Sequence, residues 1–140
     1  MQRVHVTQEF PESVASLYAY LSEHENLGPL FGARIRRLND GEDGTRNGVG
    51  SAREMRVGPL PPFVETVIEA VPEQLIRYRI TRGGVLKDHE GVMRFAASGA
   101  GSRLDYTIVF DGKLPGIGPL VALSLKRSIT AALRKRAAGR

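Results

Sequence analysis

The 140-residue sequence predicts an α+β fold: a seven-stranded sheet with a long C-terminal helix laid against it. Two observations carry this. Six strand-like segments follow one another between turn signals, and the chain ends in a helical stripe, Val121, Leu125, Ile129 and Leu133, that recurs every four residues. A third is the order, because one strand and two short helical segments precede the run.

Each element has its own signal. "QRVHVTQEF" alternates as a strand and runs directly into "PESVASLYAYLS", a helix with proline near its first position and Glu12 in its first turn. Val14, Leu17, Tyr18 and Leu21 fall at i, i+3, i+4 and i+7 of that helix. "ENLGPLFG" adds a short helical turn that brings Leu27, Leu30 and Phe31 together. Five strands follow, "ARIRRL", "GSAREMRV", "FVETVIEAV", "QLIRYRIT" and "DHEGVMRFAA", separated by "NDGEDGTRNG", "GPLPP", "PE" and "RGGVLK". After "SGAGS" a sixth, "RLDYTIVF", closes the run, and "GPLVALSLKRSITAALRKRAA" forms the terminal helix.

Composition bounds the function. With 41% hydrophobic and 25% charged residues, residues 1–140 are expected to form one globular domain with a single core. The longest apolar stretch, "GIGPLVALSL", is too short to cross a bilayer, so no transmembrane segment is expected. "MQRVHVTQEF" lacks the apolar core of a signal peptide, which makes the cytoplasm the expected location. Without cysteine there is no disulfide, thiolate chemistry or cysteine-based zinc site. The net charge of +5 invites a nucleic-acid reading, but the densest basic run, "LRKRAAGR", has no aromatic residues to stack bases and suits the negative pole of a helix. No nucleic-acid partner is expected; weak contact with an anionic membrane surface or an acidic partner stays open.

"HEN" and "HEG" lack the second histidine of a zincin helix, and there is no GxSxG elbow or phosphate-binding GxxxxGK[ST]. The "GIG" at 116–118 lacks the strand context of a dinucleotide site. No metal and no nucleotide cofactor are expected.

One residue breaks the pattern. In "GSAREMRV", Ser51, Arg53, Met55 and Val57 share one face while Glu54 and Arg56 mark the other as solvated, so Arg53 points inward, where an unpaired charge is costly.

The order of elements, with the landmarks "FPESVASLYAYLS", "GVGSAREM", "VIEAVPEQLIRYRI" and "GSRLDYTIVF", resembles the helix-grip fold of the START-like (SRPBCC) superfamily, in its polyketide cyclase/dehydrase-like branch. "GSAREMRVGPLPP" followed by Glu65 is locally similar to the gate-loop stretch of the plant abscisic-acid receptors. The resemblance implies a curved antiparallel sheet around the C-terminal helix and a cavity between them for apolar small molecules. Arg53, Met55, Val57, Glu65, Tyr78, Ile80, His89, Gly91, Met93, Tyr106 and Ile108 would then line it from the sheet, and Val121, Leu125 and Ile129 from the helix.

Alternation alone would turn Glu65 outward, because Val64, Thr66, Ile68 and Ala70 form the more apolar set; the resemblance turns it inward. An inward Glu65 would compensate Arg53, either as an internal bridge or as a ligand contact. His89 is a candidate acid or base, or a polar wall residue bonded to water, Tyr78 or Tyr106, and Gly91 would leave room in the wall. Arg34 or Arg36 is a candidate anion anchor or a solvated edge residue. Residues 58–62 are a gate over the cavity mouth or an inert turn. Three functions follow. The first is a carrier or sensor of a lipid, polyketide, isoprenoid or aromatic metabolite. The second is a cyclase, aromatase or dehydratase using His89 and Glu65, and the third is a partner-binding subunit with a filled cavity.

Overall fold

The computed structural model describes residues 1–139, so Arg140, the last of the C-terminal basic run, lies outside the described residues. Seven strands, β1 (Gln2–Phe10), β2 (Arg34–Asn39), β3 (Ala52–Arg56), β4 (Phe63–Val71), β5 (Leu75–Gly83), β6 (Leu86–Ser98) and β7 (Gly101–Gly112), form one antiparallel sheet. Its order is β1-β7-β6-β5-β4-β3-β2. Every neighbouring pair except β1–β7 is also consecutive along the chain, so most of the sheet closes locally by hairpins.

Helices α1 (Val14–Ser22) and α2 (Gly28–Phe31), joined through a 3-10 turn at His24–Leu27, carry the chain between the two edge strands. The Ser13 side chain caps α1, accepting from the Ser16 amide at 3.1 Å, so the helix begins later than the proline signal suggested. Glu12 therefore stands before the helix, where it accepts from Ser16 Oγ and from Arg136 Nη2, both at 2.7 Å. Leu17 and Leu21 bury the inner face of α1, and Tyr18 meets Phe95 edge-on with ring centroids 5.1 Å apart.

The terminal helix α3 (Ile117–Ala137) packs against β1, β7 and α2. Its two halves differ. Ile129 and Leu133 are fully buried, whereas Val121 and Leu125, two turns and one turn before Ile129 on the same stripe, are half-buried. Within the basic C-terminal end Arg136 is fastened, lying 3.5 Å over the Tyr20 ring as well as binding Glu12.

Two irregularities shape the cavity side of the sheet. Register shifts in the β4–β5 pairing, between Val64 and Glu65 and again between Val67 and Glu69, let both Val64 and Glu65 be buried in succession. On β6 a shift between Lys87 and Glu90, with Asp88 at φ 52°, turns His89 inward. Cα partners between β5 and β6 run only from Leu75↔Arg94 to Tyr78↔Gly91, and the ladder ends there.

Candidate functional site

A cavity of about 110 Å³ lies between the sheet and the N-terminal half of α3. Its wall is mostly apolar and is built from Met55 and Val57 at β3, Ile80 on β5, Ile108 on β7 and Val121 and Leu125 on α3. Phe31 of α2 adds to one side, and Leu60, Pro61, Phe63, Val85 and Leu86 add to the loop end. Four residues bring polar atoms: Glu65, Tyr78, His89 and Ser124. This is the composition of a small-molecule site, an apolar surface with a few placed polar groups.

The remaining candidates are buried around the cavity without lining it. Met93, Tyr106 and Ile129 belong to the packed core. Gly91 leaves no opening, because a Cβ there would lie 2.2 Å from Cζ of Tyr78, and the ring occupies the space. Tyr78 and Tyr106 share a hydrogen bond between their hydroxyls, and burial raises both phenols, so both stay protonated at neutral pH. Arg34 and Arg36 lie on the opposite face, paired in register with Arg56 and Glu54, and Arg36 binds Glu54 at 3.3 Å.

Arg53 sits directly behind the wall. It stands opposite Glu65 in the β3–β4 register and donates from Nε at 3.0 Å and Nη2 at 2.8 Å to the same oxygen, Glu65 Oε1. Its guanidinium carbon lies 4.9 Å from the Tyr78 ring centroid. The third contact runs away from the cavity, from Nη1 to His24 Nδ1 at 3.1 Å. His24 Nε2 then donates to Ser51 Oγ at 2.8 Å, and the Ser51 hydroxyl donates to Gly48 O at 2.6 Å. Both residues are fully buried. Burial, followed by the charge of Arg53, pushes His24 down to about 3, so its imidazole is neutral and can accept from Arg53.

His89 is fixed from the other side. The Ile80 amide donates to His89 Nδ1 at 2.9 Å, beyond the point where the β5–β6 ladder ends. An amide can only donate, and burial lowers the histidine's pKa, so the ring is neutral with its proton on Nε2. That Nε2–H faces Glu65 Oε2 at 3.7 Å, beyond hydrogen-bond range. The cavity is therefore offered one carboxylate oxygen with no hydrogen bond among the described residues, and one N–H donor beside it.

His24 is the residue that sequence patterning passed over; Ser51 was placed on the inward face with Arg53, without the histidine it binds. The signal was present on β3: a buried guanidinium carries five donors, more than one carboxylate oxygen can take, so further acceptors had to converge on Arg53. Leu60 and Val85 come from loops, Phe31 from the end of a short helix, and Phe63 and Leu86 from the first positions of their strands, where alternation says little; Ser124 lies within α3 beside Leu125.

A curved antiparallel sheet and a terminal helix that enclose a cavity with a charged pair at its wall define a helix-grip protein of the START-like (SRPBCC) class. Over residues 1–138 the sequence matches the family described as polyketide cyclase / dehydrase and lipid transport, and the chain belongs to that family. A protein of Thermus thermophilus has a similar structure, with a TM-score of 0.76 at 18% identity over 99% of this chain and 98% of that one. So does a START superfamily protein from Mycobacterium smegmatis, at 0.73 and 18% identity over 96% and 98%. The Zhui aromatase/cyclase from Streptomyces sp. R1128 matches at 0.70 and 14% identity over 99% and 98%. At these identities the likeness is one of fold. Among curated proteins none matches the sequence. No helix among the described residues is long and apolar enough to cross a membrane.

Proposed function

We propose that the protein binds a hydrophobic small molecule between the sheet and α3, as a carrier or sensor. The observation that carries this reading is the cavity itself, an apolar enclosure of about 110 Å³ whose polar groups are gathered on β4, β5 and β6 and on one turn of α3. Residues 58–62 contribute Leu60 and Pro61 to its rim, which supports their reading as the gate through which a ligand passes. Native mass spectrometry of freshly purified protein, followed by extraction of bound material, tests the proposal. A defined apolar molecule at stoichiometric occupancy is the expected result. Protein that is empty as purified, and that takes up no apolar compound from a chemically diverse panel, overturns it.

One observation favours a second reading, an enzyme of the cyclase or dehydratase kind. Glu65 Oε2 has no hydrogen-bond partner among the described residues and stands beside a histidine whose proton is on the facing nitrogen. Glu65 would then accept a proton and His89 Nε2–H would stabilise a developing oxyanion, with the apolar wall holding the substrate in a reactive conformer. His89 is unsuited to the role of base in this state, since Nδ1 is taken by Ile80 and Nε2 carries the proton. Turnover of a bound molecule, lost in His89→Ala with binding retained within a few fold, would decide for the enzyme.

A further inference from the structure

We propose that the ligand's buried end is a neutral hydroxyl group, held between Glu65 Oε2 and His89 Nε2–H; the inference rests on the reading of the cavity as a ligand site. Three observations lead to it. Glu65 Oε1 is saturated by Arg53, so Oε2 is the acceptor left for the cavity. The Ile80 amide holds His89 with its donor nitrogen toward that oxygen. The two atoms stand 3.7 Å apart, too far to satisfy each other and close enough for one oxygen to lie about 2.8 Å from both.

A hydroxyl donates one proton and accepts another, so it answers both groups at once. Other head groups answer only one. An ether or ketone accepts from His89 and leaves a buried carboxylate oxygen unpaired, which is costly. An ammonium has donors and no acceptor, so it opposes the His89 N–H. A carboxylate meets Glu65 directly, and among the described residues no lysine or arginine lines the cavity to offset the repulsion. Arg53 gives no help, because its guanidinium is turned to Glu65 and His24 and does not line the cavity. The apolar wall then accommodates the hydrocarbon part of a phenol or an alcohol.

Calorimetric titration of the purified protein at neutral pH with four matched probes tests this: para-propylphenol, its methyl ether, para-propylbenzoate and para-propylbenzylamine. The phenol is expected to bind at least about tenfold tighter than the ether, as for a hydrogen bond to a charged acceptor, and tighter than both charged probes. In Glu65→Gln the gap between phenol and ether should shrink to within about threefold. If that variant does not fold, Glu65→Asp, whose shorter side chain draws the free oxygen back from the cavity, should shrink the gap in the same way. An ether that binds as well as the phenol, or a benzoate or benzylamine that binds tightest, overturns the hydroxyl inference while the cavity reading stands. Binding of none of the four overturns both.

Discussion

Arg53 and Glu65 face each other across β3 and β4, and the arginine gives two hydrogen bonds to one carboxylate oxygen. The other oxygen stands 3.7 Å from Nε2 of His89, at the wall of the cavity that Glu65 and His89 both line. This arrangement makes the pair both structural and available. The guanidinium is anchored at its far end by His24, so the carboxylate is held in place by groups that a ligand does not touch.

Arg53→Ala should be strongly destabilising. It leaves Glu65 buried without its cation, and breaking a buried pair this way costs about 3–5 kcal/mol. Replacing both, as Arg53→Met with Glu65→Leu, should cost much less than the single change, because no charge is left uncompensated. Urea unfolding of the two variants measures the difference; equal losses would contradict an ion pair in the folded state.

Acid should destabilise the protein through His24. Its folded pKa is about 3 against an ordinary 6.5, so between these values the unfolded chain binds the additional proton. Stability is then fully present above about 6.5 and falls as the pH drops, by up to about 1.4 kcal/mol per pH unit. His89, also lowered by burial, acts in the same direction, and Glu25, held down to about 2 by its hydrogen bond from Arg37, adds a further loss below 4.5. His24→Asn should flatten the dependence between pH 6.5 and 4.5, measured as unfolding free energy against pH. An unchanged slope would mean that another group sets it.

Gly91→Ala should disturb Tyr78 rather than the backbone. The added methyl would lie 2.2 Å from Cζ of a ring that is fully buried and bonded to Tyr106. Overpacking of this kind costs about 1–3 kcal/mol, and the displaced ring should loosen its bond to Tyr106. Thermal unfolding reports the first effect and the near-ultraviolet tyrosine signal the second. A variant as stable as the parent would show that the ring has room to move.

Filling the cavity should abolish uptake and spare the fold. Leu125 is half-buried on α3 and lines the space, so Leu125→Trp can place its ring inside while the packed stripe of Ile129 and Leu133 stays as it is. The neutral dye N-phenyl-1-naphthylamine should brighten with the parent protein and not with this variant, at similar unfolding temperature. Because the chain has no other tryptophan, its emission reports whether the ring is buried. Equal dye binding would place the site elsewhere.

Much of the fold was legible because periodicity is a local property. Residues 2–10 and 63–71 were read as strands with the bounds they have, and the helical stripe of Val121, Leu125, Ile129 and Leu133 faces the sheet. Glu65 was ambiguous for a physical reason: register shifts on both sides of it break strict alternation, so the sequence pattern cannot say which face it takes. His24 was opaque for another. It lies in a polar 3-10 turn without periodicity, and it is buried only because that turn meets Arg53 and Ser51.

Where strands and helices are regular, the sequence by itself determined which side chains share a face, and with it the inward arginine, since neighbours two apart on a strand or four apart on a helix keep together there. Tertiary structure decided which of those inward residues pack and which line a space. Ile129 and Leu133 meet the core, whereas Val121 and Leu125 on the same stripe border the cavity, because the gap between the layers depends on how the sheet bends away from the helix. That gap is set by strand irregularities and by contacts between residues far apart in the chain, which no local pattern encodes.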